Sequence, residues 1–505
     1  MEVFGMDVSV WNILLTVFII WIVSIIFEWV QILLWRRKYK LIGRFPFPLF
    51  GTMPYIWFKD YMDLEKETIE KYGPVSFGSF GALNVMDVSD PDILKQIFIK
   101  EHFNFMNRYS FGFEPHPLDK MLITLKDTDW KRVRNIMTPT FSAGKLKKMT
   151  PEMNHCTRLL INGLVEKSKA GEVVDVRKHF GCFTMDVIAG TAFGIRPDSY
   201  NNPEDSFVML AQKVFGQNTL GPTVLLAMLF PRFTKLLVKL FNISVFYPLD
   251  SVKFFSDVIR NIIKERKEKN DTGRSDLLQL MLNAELVEDG QTKTKLTEDE
   301  ILAQGFIVFV AGYETTAALL GFMSYVLATQ PDIQDKLIAE IDEKVPNDES
   351  DIKYDTVMDM PYLDQVINET LRMYPPVGRM DRAVGVEEGV QINGYSFPSG
   401  TSVGFSIYMM HHNKKYFPEP DAFKPERFSA EEKAKRDPIV FMPFGHGPRN
   451  CIGMRLASVE VKIAIVGMLR KLRFVKCEET EENLQLDILS FVKPKNPIKV
   501  KVELR

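Results

Sequence analysis

The sequence lacks the features that mark several common classes of protein. Its four cysteines are far apart and include no CxxC pair, so neither a zinc knuckle nor a disulfide framework is predicted, and a reducing compartment fits. The formal net charge of −2 at pH 7 shows no excess of Lys and Arg, so we expect no nucleic-acid partner. No Gly/Ser-rich or Pro-rich linker and no repeat divides the chain after about residue 60, which favours one large domain there.

Two further absences concern cofactors. The chain contains no glycine fingerprint for a flavin or a nicotinamide nucleotide, so electrons for a redox reaction must come from another protein. Its seven histidines lack metal-ligand spacing. We predict that His411 and His412 form a turn or surface feature and that His446 is a loop residue.

The N-terminus carries a long apolar run. Residues 8–27 are uncharged and mostly apolar, and they roughly match the ~20 helical residues that span a hydrocarbon core of about 30 Å. Basic residues follow at 36–40, which indicates a stop-transfer signal and a catalytic body facing the cytosol. A cleaved signal peptide is the alternative, but no small-residue cleavage site follows. We therefore predict a membrane anchor (1–35), a basic stop-transfer and proline-rich spacer (36–58), and a single catalytic domain (59–505).

The hydrophobic periodicity of the rest predicts mainly α-helix with small β-sheets, an α+β fold. Helices are predicted at 145–168, 181–193, 206–216, 250–286, 297–328 and 355–374. Strands are predicted at 75–80, 83–88, 390–395 and 401–407.

The stretch from Phe444 to Gly453 carries the strongest chemical signal. Its glycines permit left-handed backbone and close approach to a flat ligand. Arg449 places a cation near Cys451, and helical sequence begins directly afterwards, at Met454. A cation and a helix N-terminus both favour the thiolate form of a cysteine, which is the form that binds iron, so we predict Cys451 as an iron ligand. The remaining cysteines are interpreted as small buried hydrophobes: Cys156, Cys182 and Cys477.

A long apolar helix is predicted to begin at Thr297, which forms a capping box with the glutamate three residues later. Residues 301–328 contain a single charge, Glu314, so this helix must be buried in protein or lipid. A second membrane span is the alternative, but a lone mid-helix carboxylate is costly there. Gly312 is interpreted as a gap with room for a small ligand such as O₂, and Thr315 can redirect its hydroxyl from a backbone carbonyl to that ligand.

With these features the chain resembles the cytochrome P-450 family. The family's loop pattern F-x-x-G-x-R-x-C-x-G is matched at every fixed position by Phe444, Gly447, Arg449, Cys451 and Gly453. The resemblance covers nearly the whole chain and implies the cytochrome P450 fold. It also implies that heme b (iron protoporphyrin IX) is the cofactor, with the Cys451 thiolate as axial ligand and with Phe444 against the sulfur side of the macrocycle.

The family's A-G-x-E/D-T-T pattern is matched in the long helix from Ala311 to Thr316. The resemblance implies that this segment crosses the open face of the heme, with Ala311 beside the cofactor. It further implies that Glu314 and Thr315 form an acid–alcohol pair that relays protons for oxygen activation. A purely structural threonine is the alternative.

Two groups of charged residues extend the resemblance. Glu369 and Arg372 share one helix face, and with Arg427 they match a buried network that holds the thiolate loop from behind. Arginine suits the heme propionates because its guanidinium can bind a carboxylate with two donors. The propionate partners implied by motif position are Arg108, Trp130 with Arg134, Arg382 and Arg449.

The function implied by the resemblance is a monooxygenase that inserts one atom of O₂ into a lipophilic small molecule. Its electrons would come from NADPH through a separate flavoprotein reductase, with cytochrome b5 as a further partner, in the endoplasmic reticulum membrane. Membrane lipid would border the anchor and an apolar roof at 206–248. Two alternatives stay open: a heme-thiolate isomerase or dehydratase, and a non-catalytic heme sensor or carrier. A basic reductase footprint is predicted at Lys131, Arg132, Lys145, Lys147 and Lys148.

Overall fold

The computed structural model describes residues 2–3, 6–81, 83–202, 204–215, 221–269, 273–288, 292–346, 351–488 and 491–505. The chain divides into two compact units. Unit one comprises Met1–Phe111, Pro222–Thr234 and Asp381–Phe405, and unit two comprises Gly112–Gly221, Lys235–Met380 and Ser406–Arg505. The single catalytic domain at 59–505 stays a prediction.

Helices make up most of the described chain, and the predicted fold class is confirmed. In chain order they are α1 Val8–Lys38, α2 Pro54–Phe58, α3 Tyr61–Tyr72, α4 Pro91–Lys95, α5 Asp127–Met137, α6 Ala143–Lys169, α7 Val176–Ile188, α8 Ser206–Phe215, α9 Pro222–Leu229, α10 Pro231–Phe241, α11 Leu249–Lys269, α12 Leu277–Asn283, α13 Glu298–Thr329, α14 Pro331–Lys344, α15 Tyr354–Met358, α16 Pro361–Met373, α17 Ile407–His411, α18 Ala430–Ala434 and α19 Met454–Leu469.

The strands are short and form small sheets. In chain order they are β1 Glu2–Val3, β2 Met6–Asp7, β3 Val75–Phe80, β4 Leu83–Val88, β5 Val174–Asp175, β6 Leu286–Glu288, β7 Thr292–Thr294, β8 Arg379–Ala383, β9 Val390–Ile392, β10 Tyr395–Phe397, β11 Ser402–Ser406, β12 Leu472–Val475, β13 Leu486–Asp487, β14 Lys493–Pro494 and β15 Lys499–Leu504. A four-stranded sheet has the order β3-β4-β11-β8, and a three-stranded sheet in unit two has the order β12-β15-β5. The strands predicted at 75–80 and 83–88 are β3 and β4.

Three predicted elements are divided in the structure. The strand predicted at 390–395 is the hairpin β9–β10, because Asn393 and Gly394 have φ of 48° and 84° and make the tight turn typical of an Asn-Gly pair. The helix predicted at 355–374 is α15 and α16, since Pro361 begins the second helix. The helix predicted at 250–286 is α11 and α12. Between them Asp276 caps α12 and forms a buried ion pair with Arg266 over 2.8 Å.

In unit one, α1 is both the apolar N-terminal helix and a part of the folded unit. It has 31 residues and continues past the anchor boundary predicted at residue 35. Trp29 donates through Nε1 to the carbonyl of Pro46 over 2.8 Å. Arg36 donates to backbone carbonyls of the segment 41–44 at distances from 2.5 to 3.0 Å. Arg36, predicted as part of a stop-transfer cluster, therefore binds the start of the spacer to the end of α1.

Among the described residues, two helices are long and apolar enough to cross a membrane, Trp11–Lys38 and Glu298–Thr329. The apolar window of the first has no buried residues, whereas 56% of the window of the second is buried inside the protein. Burial in protein thus accounts for the apolar character of α13, which packs against α7, α11, α16 and α19 in unit two. The predicted capping box at its start is confirmed: Thr297 N donates to Glu300 Oε2 over 2.8 Å, and Glu300 N donates to Thr297 Oγ1 over 3.2 Å.

The helix that follows Cys451, α19, packs closely against α6. A Cβ added at Gly467 would lie 2.6 Å from Thr157 Cγ2 and 3.4 Å from Ile161 Cδ1. Real side chains do not approach that closely, so Gly467 sets the distance between the two helices. The packing matters for function because α19 begins three residues after Cys451.

We expect Gly467→Val to destabilise the protein by about 1–3 kcal/mol, because the added methyl groups must displace α6. The measurement is the midpoint of thermal unfolding. Gly144→Val is the matched control, since Gly144 also lies in a helix but a Cβ there meets nothing within 4 Å. Equal shifts for both variants would contradict the explanation by close packing.

Candidate functional site

The loop that carries Cys451 lies in unit two and is closed by its own backbone. Cys451 N donates to Phe444 O over 2.8 Å, and Gly445 N donates to Met442 O over 2.9 Å. Gly445 and Gly447 have φ of 73° and 74°, a left-handed conformation that favours glycine. The loop ends at Gly453, where an added Cβ would lie 4.0 Å from Cys451 Sγ. Cys451 is exposed, unlike Cys156.

Arg449 fixes a positive charge two residues before Cys451. The guanidinium is buried, with 6% of the residue exposed, and its Cζ lies 4.2 Å from the centroid of the Trp130 ring. It donates to the carbonyls of Leu122 and Leu125 over 3.1 and 2.7 Å. Trp130 thus contacts Arg449 through a cation–π interaction.

A second contact joins α5 to the loop. Arg134 Nη2 donates to Asn450 Oδ1, in the residue before Cys451, over 2.9 Å. The structure therefore brings four sequence-predicted residues together around the loop. They are Trp130, Arg134, Arg449 and Cys451.

The other cysteines differ from Cys451. Cys156 is buried, and burial raises the pKa of its thiol, with Asp186 and Glu152 as smaller causes. Burial likewise raises the pKa of Cys182 to about 11, although this residue is only half-buried. Both stay protonated at neutral pH and are poor metal ligands. Cys477 is half-buried and contacts Thr480, so full burial is confirmed for Cys156 alone.

One face of α13 is open although the rest of the helix is buried. Ala311 is exposed and Thr315 half-buried, with Val308 and Ala318 half-buried on the same helix face. Thr315 Oγ1 donates to Ala311 O over 2.7 Å. This stripe provides a surface at which a ligand can meet a hydroxyl group.

Glu314 points to charged partners. Arg177 Nη2, from α7, lies 2.7 Å from Glu314 Oε1, and Lys493 Nζ lies 3.9 Å from the same oxygen. The Glu314 side chain is 17% exposed, whereas that of Arg177 is 55% exposed. The charge of the mid-helix carboxylate is therefore compensated by Arg177, whose side chain is partly in solvent. The sequence did not predict this ion pair.

Gly312 was predicted to leave a gap for a small ligand, and this interpretation is wrong. A Cβ at Gly312 would lie 2.7 Å from Ile188 Cδ1 of α7. Gly181 of α7 faces the same helix, and a Cβ there would lie 2.9 Å from the Tyr313 hydroxyl oxygen. These glycines let α7 and α13 approach each other. Glycine is needed at 312 because a side chain there would collide with Ile188 of α7.

Glu369 and Arg372 form a fully buried ion pair. Arg372 Nε and Nη2 lie 2.8 and 2.9 Å from the two carboxylate oxygens of Glu369, and neither side chain is exposed to solvent. Arg427 Nε lies 3.3 Å from Glu369 Oε1, and Lys424 N donates to the same oxygen over 2.9 Å. Arg372 Nη1 also donates to the carbonyl of His411 over 3.1 Å. The predicted association of Glu369, Arg372 and Arg427 is thus present.

Cys451 is a single ligand, which suits an iron whose other ligands are mostly supplied by a cofactor. Among the residues that the structure describes, no group of three or more His, Cys, Asp or Glu side chains could hold a metal ion. A porphyrin supplies four nitrogen ligands and needs one axial donor, which an exposed cysteine in a glycine-rich loop can provide. The residues present therefore fit a heme.

Comparison with known proteins decides the family. The sequence model of the family described as Cytochrome P450 matches residues 43–502. The chain is 40% identical over 473 residues to Cytochrome P450 3A14 from Cavia porcellus, covering 93% of this chain and 92% of that protein. It is 39% identical over 471 residues to Cytochrome P450 3A25 from Mus musculus, with 93% and 92% covered. It is also 39% identical over 469 residues to Lithocholate 6-beta-hydroxylase from Mesocricetus auratus, with 92% of each chain covered. The chain belongs to the cytochrome P450 family.

Cytochrome P450 enzymes bind heme b through a cysteine thiolate, and this cytochrome P450 is a monooxygenase. Microsomal relatives imply O₂, a lipophilic substrate and a redox partner. The roles of single residues stay predictions. Arg108 is half-buried in unit one, and Arg382, in the same unit, stacks its guanidinium on Phe98 with 5.1 Å from Cζ to the ring centroid. Because Cys451 belongs to unit two, their assignment to the propionates of the cytochrome P450 heme is untested.

Sequence reasoning misread one histidine of this cytochrome P450. His411 was predicted as a turn or surface feature, but it is fully buried at the end of α17, and its ring accepts a hydrogen bond from Met442 N over 3.1 Å. His412 is half-buried and contacts the carbonyl of Tyr408 on its own helix. The alternating apolar residues of β11, directly before α17, were the available signal that the chain there runs through the core.

We expect Arg372→Ala to yield poorly folded protein without heme. The substitution leaves the carboxylate of Glu369 buried without its main partner, which costs roughly 3–5 kcal/mol. The measurements are heme content per polypeptide and the midpoint of thermal unfolding.

Arg158→Ala is the matched control, because Arg158 pairs with Asp351 at the exposed surface of the same unit. Exposed pairs contribute only about 0–1 kcal/mol, so this variant should keep its heme. Full heme content in Arg372→Ala would contradict the importance of the buried pair.

Proposed function

We propose that this chain is a monooxygenase anchored in the endoplasmic reticulum membrane with its catalytic body in the cytosol. It receives electrons from NADPH through a separate flavoprotein reductase, with cytochrome b5 as a second donor, and oxidises large lipophilic molecules. The observation that carries the proposal is Cys451, exposed in a closed loop beside the buried cation Arg449.

In this proposal Cys451 would hold the heme iron through its thiolate. The Arg449 guanidinium and the N-terminus of α19, whose cap Gly453 has no side chain to satisfy the first amides, both stabilise a negative sulfur. Trp130 and Arg134 hold the loop from α5. Phe444 contributes the carbonyl that orients the Cys451 amide, and Gly453 leaves room beside the sulfur.

When bound, the heme supplies the redox chemistry that activates O₂ for insertion of one oxygen atom into a C–H bond. The chain supplies protons and exclusion of water. Thr315 can exchange its 2.7 Å hydrogen bond to Ala311 O for one to a ligand on the open stripe of α13. Glu314 can bring protons from solvent, because Arg177, its partner, is more than half exposed and can turn away at small cost.

In this proposal one apolar face of α10 contacts lipid. On α10 the exposed apolar residues Phe233, Leu236 and Leu240 recur at helical spacing and form one face. Such a face fits the headgroup boundary of a bilayer. The similarity to Lithocholate 6-beta-hydroxylase supports a steroid-like substrate. Lipophilic molecules of that class dissolve in the membrane that this face would contact.

The predicted basic footprint for the reductase is smaller than the sequence indicated. Arg132 is half-buried and pairs with Glu300 of α13, so it is committed inside the unit. Lys147 is exposed but pairs with Asp355. Lys131 and Lys148 are exposed and stay available in the proposal, with Lys145 half-buried beside them on α6.

The acid–alcohol pair separates this proposal from its rivals. An isomerase or dehydratase of this family tends to lack the pair, and a sensor or carrier needs no proton relay. Turnover that depends on NADPH, reductase and O₂ distinguishes the monooxygenase from both. Turnover of a peroxide without reductase would instead favour the isomerase.

The first test is the absorption spectrum of the reduced, carbon monoxide-bound protein. We expect a strongly red-shifted Soret band, which reports a thiolate on iron, and its complete loss in Cys451→Ser. Cys182→Ser is the control, because Cys182 is a half-buried cysteine of the same unit and should leave the band unchanged. A red-shifted band that survives in Cys451→Ser would refute the assignment of the ligand.

The second test concerns proton delivery. We expect Thr315→Ala to consume NADPH at a near-normal rate but to release more of the electrons as hydrogen peroxide, since general acid–base steps typically contribute about 10²–10⁴-fold. The measurement is the ratio of product formed to NADPH oxidised. Thr316→Ala is the matched control, because Thr316 is buried, outside the open stripe of α13, and should retain normal coupling. Normal coupling in Thr315→Ala would remove this hydroxyl from the mechanism.

A further inference from the structure

His411 occupies an unusual environment for a histidine. The residue is fully buried at the C-terminal end of α17, with 0% exposed. Its ring lies between aromatic rings, with centroid distances of 5.1 Å to Phe441 and 6.4 Å to Phe417. A polar ring is costly in such a place unless its hydrogen bonds are made.

Two hydrogen bonds connect His411 to the site. Its Nε2 accepts from the backbone amide of Met442 over 3.1 Å, so Nε2 carries no proton and the ring proton is on Nδ1. Among the described residues Nδ1 is buried without a hydrogen-bond partner, so the bond to Met442 is the one polar contact of the ring. Its backbone carbonyl accepts from Arg372 Nη1 over 3.1 Å. His411 therefore bonds to the buried ion pair through its main chain and to the start of the Cys451 loop through its side chain.

The path from Met442 to Cys451 is short and made of backbone hydrogen bonds. Met442 O accepts from Gly445 N over 2.9 Å, which closes a turn that contains Phe444. Phe444 O in turn accepts from Cys451 N over 2.8 Å. Fixing the Met442 amide thus fixes the turn, and the turn orients the carbonyl that holds Cys451.

The ring of His411 stays neutral over the whole physiological range. Burial, with smaller contributions from His412 and the Arg372 guanidinium, lowers the pKa of His411 to about 3. A neutral imidazole keeps Nε2 available as an acceptor, whereas a protonated ring would present a donor to the Met442 amide. The environment is consistent with a permanent acceptor.

We propose that His411 is a positioning residue, which connects the Glu369–Arg372 pair to the Cys451 loop by accepting the amide proton of Met442. The inference rests on the proposed role of Cys451 as heme ligand. It assigns to the side chain of His411 a task that core packing alone does not require, because an apolar side chain of similar volume would fill the same space.

The test compares full-length variants that keep or remove the acceptor. His411→Gln places an uncharged acceptor near the position of Nε2, and His411→Leu fills the space without one. The measured quantity is the ratio of heme that lacks the red-shifted carbon monoxide band to heme that shows it. In His411→Leu we expect this ratio to rise roughly tenfold, because the buried Met442 amide is left without an acceptor. In His411→Gln we expect the ratio to stay within about twofold of the wild-type value.

Two controls separate positioning from general destabilisation. His412→Leu alters the neighbouring histidine, whose ring contacts the carbonyl of Tyr408, and should leave the band unchanged. Val466→Ala removes buried apolar volume from α19, so it should lower thermal stability while the band stays red-shifted. Loss of the band in Val466→Ala to the same extent as in His411→Leu would overturn the proposal.

A second measurement follows the hydrogen bond itself. Amide hydrogen exchange at Met442 should be slow in the wild type and in His411→Gln, and at least tenfold faster in His411→Leu. If His411→Leu is recovered without heme, the test depends on His411→Gln. A normal red-shifted band in His411→Gln supports the proposal, and loss of heme from His411→Gln as well overturns it. A wild-type protein with no red-shifted band would refute the role of Cys451, whereas a normal wild-type band with unchanged His411→Leu refutes only the role of His411.

Discussion

Glu369 and Arg372 meet without access to water, and this constraint organises much of unit two. Each ion loses several kcal/mol of hydration on burial, which the partner charge offsets only if the remaining donors and acceptors are also satisfied. The structure meets this requirement with the Lys424 amide, the Arg427 guanidinium and the His411 carbonyl. Two separate chain segments, one with His411 and one with Lys424 and Arg427, must therefore arrive at α16 together, and both precede the loop of Cys451 in the chain.

The long helix α13 combines two demands that act in opposite directions. As the central helix of unit two it must be apolar and closely packed, and Gly312 and Gly181 permit that packing against α7. As part of the site it must expose a hydroxyl and tolerate a carboxylate. The helix resolves the conflict by face: Ala311 and Thr315 lie on the open stripe, and Glu314 turns toward Arg177.

The parts that sequence reasoning predicted well are those specified by local spacing. The capping box at Thr297, the strands β3 and β4 and the loop of Cys451 each follow from residues within a few positions of one another. The parts that it missed depend on residues distant in the chain. Nothing near Glu314 indicates Arg177, and the histidine pair at 411–412 does not itself show that the first ring is fully buried and the second only half-buried. The Asn393-Gly394 turn is different, since an Asn-Gly pair is itself a local signal for a tight hairpin turn.

The junction between α1 and the spacer restricts how the helix can move relative to the segment that follows it. A helix of 31 residues is about 46 Å long, which exceeds a hydrocarbon layer of about 30 Å, so its basic C-terminal end would project beyond such a layer. Because Trp29 and Arg36 bond the end of the helix to the segment 41–46, the junction cannot act as a free swivel. An inclination imposed on α1 by a surrounding bilayer would therefore also incline the segment 41–46 of unit one, so in an anchored protein the orientation of this part of unit one would depend on lipid composition.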